Sequence, residues 1–218
     1  MASAQSLNTL TKAEAKKGFT LLFDGKTTNG WHLYGRYGAQ STWSVANGIL
    51  KLDPKVRPQA DLVTDKEYEN FELTLDWNIA EGGNSGIIVD VHEDPSFKAT
   101  YDTGWEMQVL DNIKAEDNKL DNHLAGSLYD LLASPKNVAK PAGQWNSVRL
   151  VKNNGHVTAW LNGKQTFHVM LWDDGWKKMI DASKFKGWKG FAAYKKGHIA
   201  LQQHGAVVSY RNIKIKEL

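Results

Sequence analysis

The run Trp105-Glu106-Met107-Gln108-Val109-Leu110 alternates: Trp105, Met107 and Val109 share one face, and Glu106, Gln108 and Leu110 the other. A carboxyl group therefore stands beside an amide on the face turned away from the core, a pairing suited to proton transfer where neighbouring hydroxyls must be held. Near the end of the chain, Gln202-Gln203-His204-Gly205 interrupts an alternating strand pattern with two amides and an imidazole. Imidazole titrates near neutrality and so serves as acid or base. By alternation Gln202 and His204 leave on one side. In GGNSGIIVDV, residues 82–91, the pattern points Ile87, Val89 and Val91 inward and Gly86, Ile88 and Asp90 outward. Gly82, Gly83 and Gly86 permit close approach of a backbone or ligand. If these strands are neighbours in one curved sheet, Glu106, Gln108, Asp90, Gln202 and His204 converge in one groove. Taken singly, each reads as a solvated outward residue. Glu106 and His204 stand apart because each lies beside a glycine-bounded break.

Other chemistries lack their motifs. The chain has no G-x-S-x-G elbow, no H-E-x-x-H, no G-x-x-x-x-G-K-[ST] and no G-x-G-x-x-G. The stretch LDNIKAEDNKLDNHLAG offers oxygen ligands in Asp111, Asn112, Glu116, Asp117, Asn118, Asp121 and Asn122, with His123 following. Hard cations favour such ligands, but the spacing lacks the glycine and terminal glutamate of an EF-hand loop. A solvated loop is expected, with a calcium-like divalent cation as the alternative and no metal ligands assigned. His32, His92, His156, His168 and His198 follow no pattern and read as surface or satisfied core histidines.

The elements that must position these groups are mostly strands. In NFELTLDWNI, Phe71, Leu73, Leu75, Trp77 and Ile79 fall on one face and Glu72, Thr74, Asp76 and Asn78 on the other. Asn154-Gly155 and Asn162-Gly163 tolerate the positive φ of type I′ turns and predict a three-stranded meander. Further strands are expected at 20–24, 43–46, 49–53, 61–64, 86–91, 105–110, 189–193 and 198–203, a spacing that favours a two-sheet sandwich over a small barrel. Thr11-Lys12-Ala13-Glu14 is a capping box for a short helix stopped by Gly18. No repeat or linker divides the chain, which reads as an N-terminal segment, 1–17, and one β-sandwich domain, 18–218. Trp77 and Trp145 look like core or strand-entry residues. Trp31, Trp43, Trp105, Trp172 and Trp176 are groove candidates, although each taken singly reads as a core residue, with one or two of the nine tryptophans expected in a cleft.

With 41% hydrophobic residues and 11% aromatics the chain can bury a sizeable core. A net charge of +3 argues against a nucleic-acid partner. The lysine-rich segment 177–196 reads as a solvated loop with packed aromatics. No apolar run approaches the roughly 20 residues of a membrane span. Cysteine is absent, so no disulfide or thiolate metal site forms. The start MASAQS lacks the regions of a signal peptide, yet Ala2-Ser3-Ala4 before Gln5 resembles the end of a cleaved one. That suggests a periplasmic or secreted protein.

Five stretches, in order, resemble the 3-keto-disaccharide hydrolase domain family: GFTLLFDGKTTNGWHLYG, GGNSGI, WEMQVLDN, AGSLYDLLASPKNVAKPAGQWNSVRL and IALQQHGAVVSYRNIKIKEL. Together they span Gly18 to Leu218. The resemblance implies a concanavalin A-like jelly-roll β-sandwich of two antiparallel sheets, in exported bacterial proteins that handle carbohydrates. One departure is Gln203, where the family usually has Asp; a role for that carboxylate as acid, base or ligand would be lost here. The implied reaction cleaves glycosides already oxidised at C3, which requires a partner sugar 3-oxidoreductase. The ketone acidifies the hydrogen on C2, a base removes it, the oxygen on C1 departs, and water adds to the enone. This contrasts with the paired-carboxylate route of ordinary glycosidases. On that basis Glu106 or His204 is assigned as base or acid and Tyr129 as candidate proton donor. Asn84, Asp90, Gln108, His123, Gln202 and Gln203 are assigned to substrate binding. A carbohydrate-binding module without catalysis uses the same groove and is the alternative; a structural domain of the cell envelope is a third possibility.

Overall fold

The structure is a computed structural model that describes residues 7–36 and 42–218. The Ala2–Ala4 stretch lies outside the described residues. The strands run β1 (Thr20–Leu21), β2 (Trp31–Leu33), β3 (Trp43–Ala46), β4 (Ile49–Leu52), β5 (Leu62–Thr64), β6 (Phe71–Ile79) and β7 (Asn84–Val91). They continue as β8 (Trp105–Leu110), β9 (Asn146–Asn153), β10 (His156–Leu161), β11 (Lys164–Met170), β12 (His198–Leu201) and β13 (Val208–Glu217). Helix α1 (Lys12–Lys16) precedes them and α2 (Asp174–Asp181) follows β11.

The strands form two antiparallel sheets. The larger has the order β11-β10-β9-β6-β13-β4-β3, with β1 added beside β13. The smaller has the order β2-β5-β12-β7-β8. Their facing sides supply one apolar cluster that includes Phe71, Trp77 and Tyr210 from one sheet and Ile87, Trp105 and Met107 from the other. This is the expected concanavalin A-like sandwich. The period-two reading of β6 holds along its length, with Phe71 to Ile79 buried at every second residue. Each of these side chains contributes about 1.5–3 kcal/mol on leaving water. The β9-β10-β11 meander turns on Asn154 and Gly155 (φ 50° and 82°) and on Asn162 and Gly163 (φ 51° and 80°). At α1, the Thr11 hydroxyl accepts from the Glu14 N–H and the Glu14 carboxylate accepts from the Thr11 N–H, completing the capping box.

Two expectations are corrected, and one strand is added. Residues 189–193 form turns rather than a strand, with Ala192 in the left-handed region (φ 49°). Trp31–Leu33 is a strand that its short, uniformly buried pattern did not announce. Trp31, Trp43, Trp105 and Trp176 are core residues, as each reads when taken singly. The first two spend their indole N–H groups on the carbonyls of Leu22 and Ala60. The half-buried Trp172 likewise donates to the Ala192 carbonyl.

The second correction concerns Asp90. It has φ 63°, and the β7–β12 register slips beside it, so that His198 pairs with Val91 but Ala200 with Ile88. One extra residue on β7 makes a bulge, which reverses the facing of the strand's last residues. Asp90 therefore points between the sheets, where it accepts from Trp105 Nε1 at 2.8 Å and pairs with the fully buried Lys152 of β9. Val91 takes the outer face instead, beside Ile88, Val63 and Ala200.

Candidate active site

The outer face of the smaller sheet carries the site. Glu106 and Gln108 project from β8 opposite β7, whose Gly86 pairs with Gln108 and neighbours Glu106 diagonally. A Cβ at Gly86 would lie 2.1 Å from Glu106 Oε1, so the glycine makes room for the carboxyl group. Past the end of β12, the Gln202 N–H continues the ladder to the Gly86 carbonyl at 2.9 Å. That brings the Gln202 side chain into hydrogen bonding with Glu106. The open edge of β8 is covered by residues 126–129: Gln108 N–H donates to Ser127 O, Gly126 N–H to Gln108 O, and Tyr129 N–H to Glu106 O. This docking sets Tyr129 next to Glu106.

Asn84, Glu106, Gln108, Tyr129, Gln202 and His204 together line a pocket of about 270 Å³. The expected convergence of the glutamate, the two amides and the imidazole is therefore present. Asn84 Oδ1 is buried and is one of three buried side-chain polar atoms without a hydrogen-bond partner among the described residues. A buried acceptor left unpaired costs about 1–3 kcal/mol, which a ligand hydroxyl would relieve.

The opposite wall comes from the lysine-rich segment. Lys184, Phe185, Trp188 and Phe191 line the pocket, with Tyr101 at its rim. Phe185 stacks on Phe191 with ring centres 3.8 Å apart, and Trp188 packs edge-on against Phe185 at 5.3 Å. Trp188 and Tyr101 stay 40% and 44% exposed, leaving flat apolar faces at the mouth. The single tryptophan in the cleft is thus none of the five nominated from sequence. The interleaving of lysines with aromatics was visible, but a solvated loop and a pocket wall share that composition.

Burial pushes the Glu106 carboxyl up to about 8, opposed by Lys184 and the Gln202 hydrogen bond and reinforced by the carboxyl groups of Asp61 and Asp117. Asp61, just before β5, was not singled out from sequence. It accepts from the Gln203 N–H at 2.7 Å and from the Thr100 hydroxyl, and burial raises its pKa as well. The Tyr129 hydroxyl donates to Asp117 at 2.9 Å, and burial raises its pKa too.

Three nominated residues lie elsewhere. Asp90 is in the core, as described. His123 sits behind Tyr129, its ring centre 4.4 Å away, with Nδ1 2.7 Å from Asp117 and Nε2 3.0 Å from Asp130. Both ring nitrogens are engaged, so it braces Tyr129 and Asp117 rather than meeting a ligand. Gln203 turns its amide to Gln59 at 2.9 Å, outside the pocket lining. The departure from the family pattern therefore does not remove a group from the pocket wall.

The oxygen-rich loop spends several of its polar side chains on its own backbone. Asp111 accepts from the N–H groups of Gly82 and Ile113, and Asn112 Oδ1 from that of Ala125. Asn118 donates to the Asn112 and Ile113 carbonyls. These groups fold the loop. Among the described residues, no group of three or more histidine or carboxylate side chains is arranged to hold a metal ion. Likewise, no helix among them is long and apolar enough to cross a membrane.

Comparisons with known proteins agree with the fold. The sequence pattern of the 3-keto-alpha-glucoside-1,2-lyase-like domain matches residues 18–216. The chain is 33% identical to a protein of Bacteroides thetaiotaomicron named 3-keto-disaccharide hydrolase, over 92% of this chain and 79% of that one. A crystal structure of a candidate glycosyl hydrolase from Parabacteroides distasonis superposes with a TM-score of 0.91 at 32% identity, covering 98% of this chain and all of that one. A carbohydrate-binding module from Bacillus subtilis shares the fold alone, with a TM-score of 0.52 at 12% identity over 86% of this chain and 96% of that one. The chain belongs to the 3-keto-alpha-glucoside-1,2-lyase-like domain family.

Proposed function

We propose that the chain is a carbohydrate-active enzyme that cleaves 3-keto-glycosides by elimination followed by hydration. The observation that carries this reading is Glu106, a buried carboxyl group raised to about 8, lining an aromatic-walled pocket with His204, Tyr129 and two amides. A proton-transfer group works best when its pKa lies near the working pH. In the first step a base takes the proton from C2, the C1–O bond breaks, and a C1=C2 double bond forms in conjugation with the C3 carbonyl. The departing oxygen takes a proton from an acid. In the second step water adds its oxygen to C1, its spare proton returns to the acid, and C2 recovers its proton from the base. The sum is hydrolysis, and both groups are reset.

Lys184 supplies positive charge toward the enolate that forms when C2 loses its proton, the electrostatic help such a step requires. Asn84, Gln108 and Gln202 hold sugar hydroxyls, and Trp188 and Tyr101 offer apolar faces to a ring. The substrate arrives already oxidised, so the proposal includes a partner sugar 3-oxidoreductase and an exported, periplasmic or secreted, setting.

Incubation with a chromogenic 3-keto-glucoside, with and without a chelator, tests this. Turnover is expected, along with its loss in His204→Ala at unchanged melting temperature. The chelator arm reads whether a divalent cation contributes. Binding of 3-keto-sugars or glycans without any turnover would instead establish a non-catalytic carbohydrate-binding module.

A further inference from the structure

Two parts of the pocket wall come from stretches far apart in sequence. Gln202 and His204 follow β12, whereas Tyr101 belongs to the short 3₁₀ turn Thr100–Asp102 between β7 and β8. Both are tied to one side chain, Asp61, just before β5. Asp61 Oδ1 accepts from the Gln203 N–H at 2.7 Å, and Oδ2 accepts from the Thr100 hydroxyl. Gln203 lies between the two lining residues of its turn, and Thr100 adjoins Tyr101. The Asp61 backbone is itself pinned, its carbonyl accepting from the Tyr34 N–H at 2.9 Å. Asp61 is not among the residues lining the pocket.

We infer, on the basis of the reaction proposed above, that Asp61 is a positioning residue of this site. Its carboxylate fixes the turn carrying His204 to the rim carrying Tyr101, and it directs one negative charge at both His204 and Glu106. Strand β12 lies between β5 and β7, so successive N–H groups leaving it point to alternate neighbours. The Gln202 N–H reaches the Gly86 carbonyl on the β7 side. The Gln203 N–H points to the β5 side, past the pairing of Leu201 with Leu62. There the Asp61 side chain takes the place of a strand carbonyl.

A neutral carbonyl would satisfy that N–H as well; a carboxylate adds a charge that burial disfavours. Each of its oxygens accepts one hydrogen bond, the pattern of an ionised group. The charge acts on its neighbours. It lies close enough to His204 for the two to attract when the imidazole is protonated. Toward Glu106 the same charge repels the ionised form and so favours its proton. The other titratable groups acting on Glu106 are Lys184 beyond α2, Asp117 in the loop after β8, Tyr129 beside β8 and Tyr210 of β13. His204 also faces an adjoining cleft with Lys114 and Glu116.

Asp61→Asn separates the charge from the clamp, because the amide keeps an oxygen for the Gln203 N–H and a donor for the Thr100 hydroxyl. In this variant Glu106 should lose its proton at a lower pH than in wild type, where it titrates at about 8. NMR of the labelled Glu106 carboxyl carbon, recorded without substrate, reads that displacement; a merely structural role would leave it where it is. With a 3-keto-glucoside, kcat should fall about tenfold while KM stays near the wild-type value. Asp61→Ala, which also releases the turn, should lower kcat/KM about a hundredfold and raise KM. If Asp61→Asn does not fold, Thr100→Val takes its place. That variant frees Oδ2 and keeps the charge, so kcat/KM should fall about fivefold through KM, and an unchanged value overturns the clamp. A folded Asp61→Asn with wild-type kcat and an unmoved Glu106 titration overturns the inference and leaves the proposed reaction standing. Wild-type protein inert toward 3-keto-glucosides overturns that reaction, while the substrate-free titration still decides the role of the Asp61 charge.

Discussion

Two buried carboxyl groups on adjacent strands of the same sheet have opposite situations. Asp90, on β7, lies between the sheets with an indole N–H on one oxygen and the Lys152 ammonium on the other. Glu106, on β8, lies on the outer face with one amide beside it and the pocket open before it. Burial raises both, but the paired lysine limits Asp90 to about 6 while Glu106 reaches about 8. The first is satisfied by the protein alone and serves the fold. The second is under-satisfied, and a buried group of that kind awaits a ligand or a reaction.

The sharpest way to break this contrast is to remove each charge in turn. Glu106→Gln is expected to cut turnover of a 3-keto-glucoside by about a thousandfold or more while the protein melts as a folded domain. Asp90→Asn should do the reverse, costing about 3–5 kcal/mol because it strands Lys152 without its partner. Chemical denaturation and steady-state kinetics on both variants decide. If Asp90→Asn kills turnover at full stability, the two roles have been assigned the wrong way round.

Stability against pH sharpens the contrast further. Folded Glu106 keeps its proton to about pH 8, whereas in the unfolded chain it is released around its ordinary value of 4.5. Between those values the native state binds more protons than the unfolded one, so this residue's contribution falls as pH rises. Glu106→Gln removes that penalty. The variant should therefore be more stable than wild type above about pH 5, with the gap widening to about 2–4 kcal/mol by pH 8. Denaturant midpoints at pH 5 and pH 8 measure it, and a gap that narrows with pH refutes the assigned proton.

A smaller effect is expected at Gly86, whose missing Cβ leaves space for Glu106 Oε1. Gly86→Ala displaces the carboxyl group without asking the backbone for a left-handed conformation. Activity should fall about 10- to 100-fold, as for a reacting group misplaced by about an ångström. Circular dichroism should be unchanged, and wild-type rates would show that Glu106 tolerates the shift.

Much of the sandwich was legible because its signals are local. The alternation of β6, the Asn-Gly turns and the Thr11–Glu14 capping box each depend on residues within a few positions of one another. The same alternation placed Glu106, Gln108, Gln202 and His204 on matching faces, and they line one pocket. It failed at Asp90, where a single left-handed residue inverts the facing at the end of β7, and aspartate announces no such turn. It failed again along 184–191, because aromatic and lysine residues pack as a wall or splay into water according to what lies opposite.

Chain-local physics thus settled which residues form strands, where hairpins turn and which faces are apolar, since backbone geometry repeats every two residues. Only the packing of β7, β8, β12 and the chain after α2 decided that Glu106 meets a pocket, that Asp90 meets a lysine, and that Asp61, Lys184 and Trp188 join the site. Those outcomes depend on groups tens to more than a hundred residues apart in sequence. Burial and Coulomb interactions act through space, so no reading of neighbours along the chain contains them.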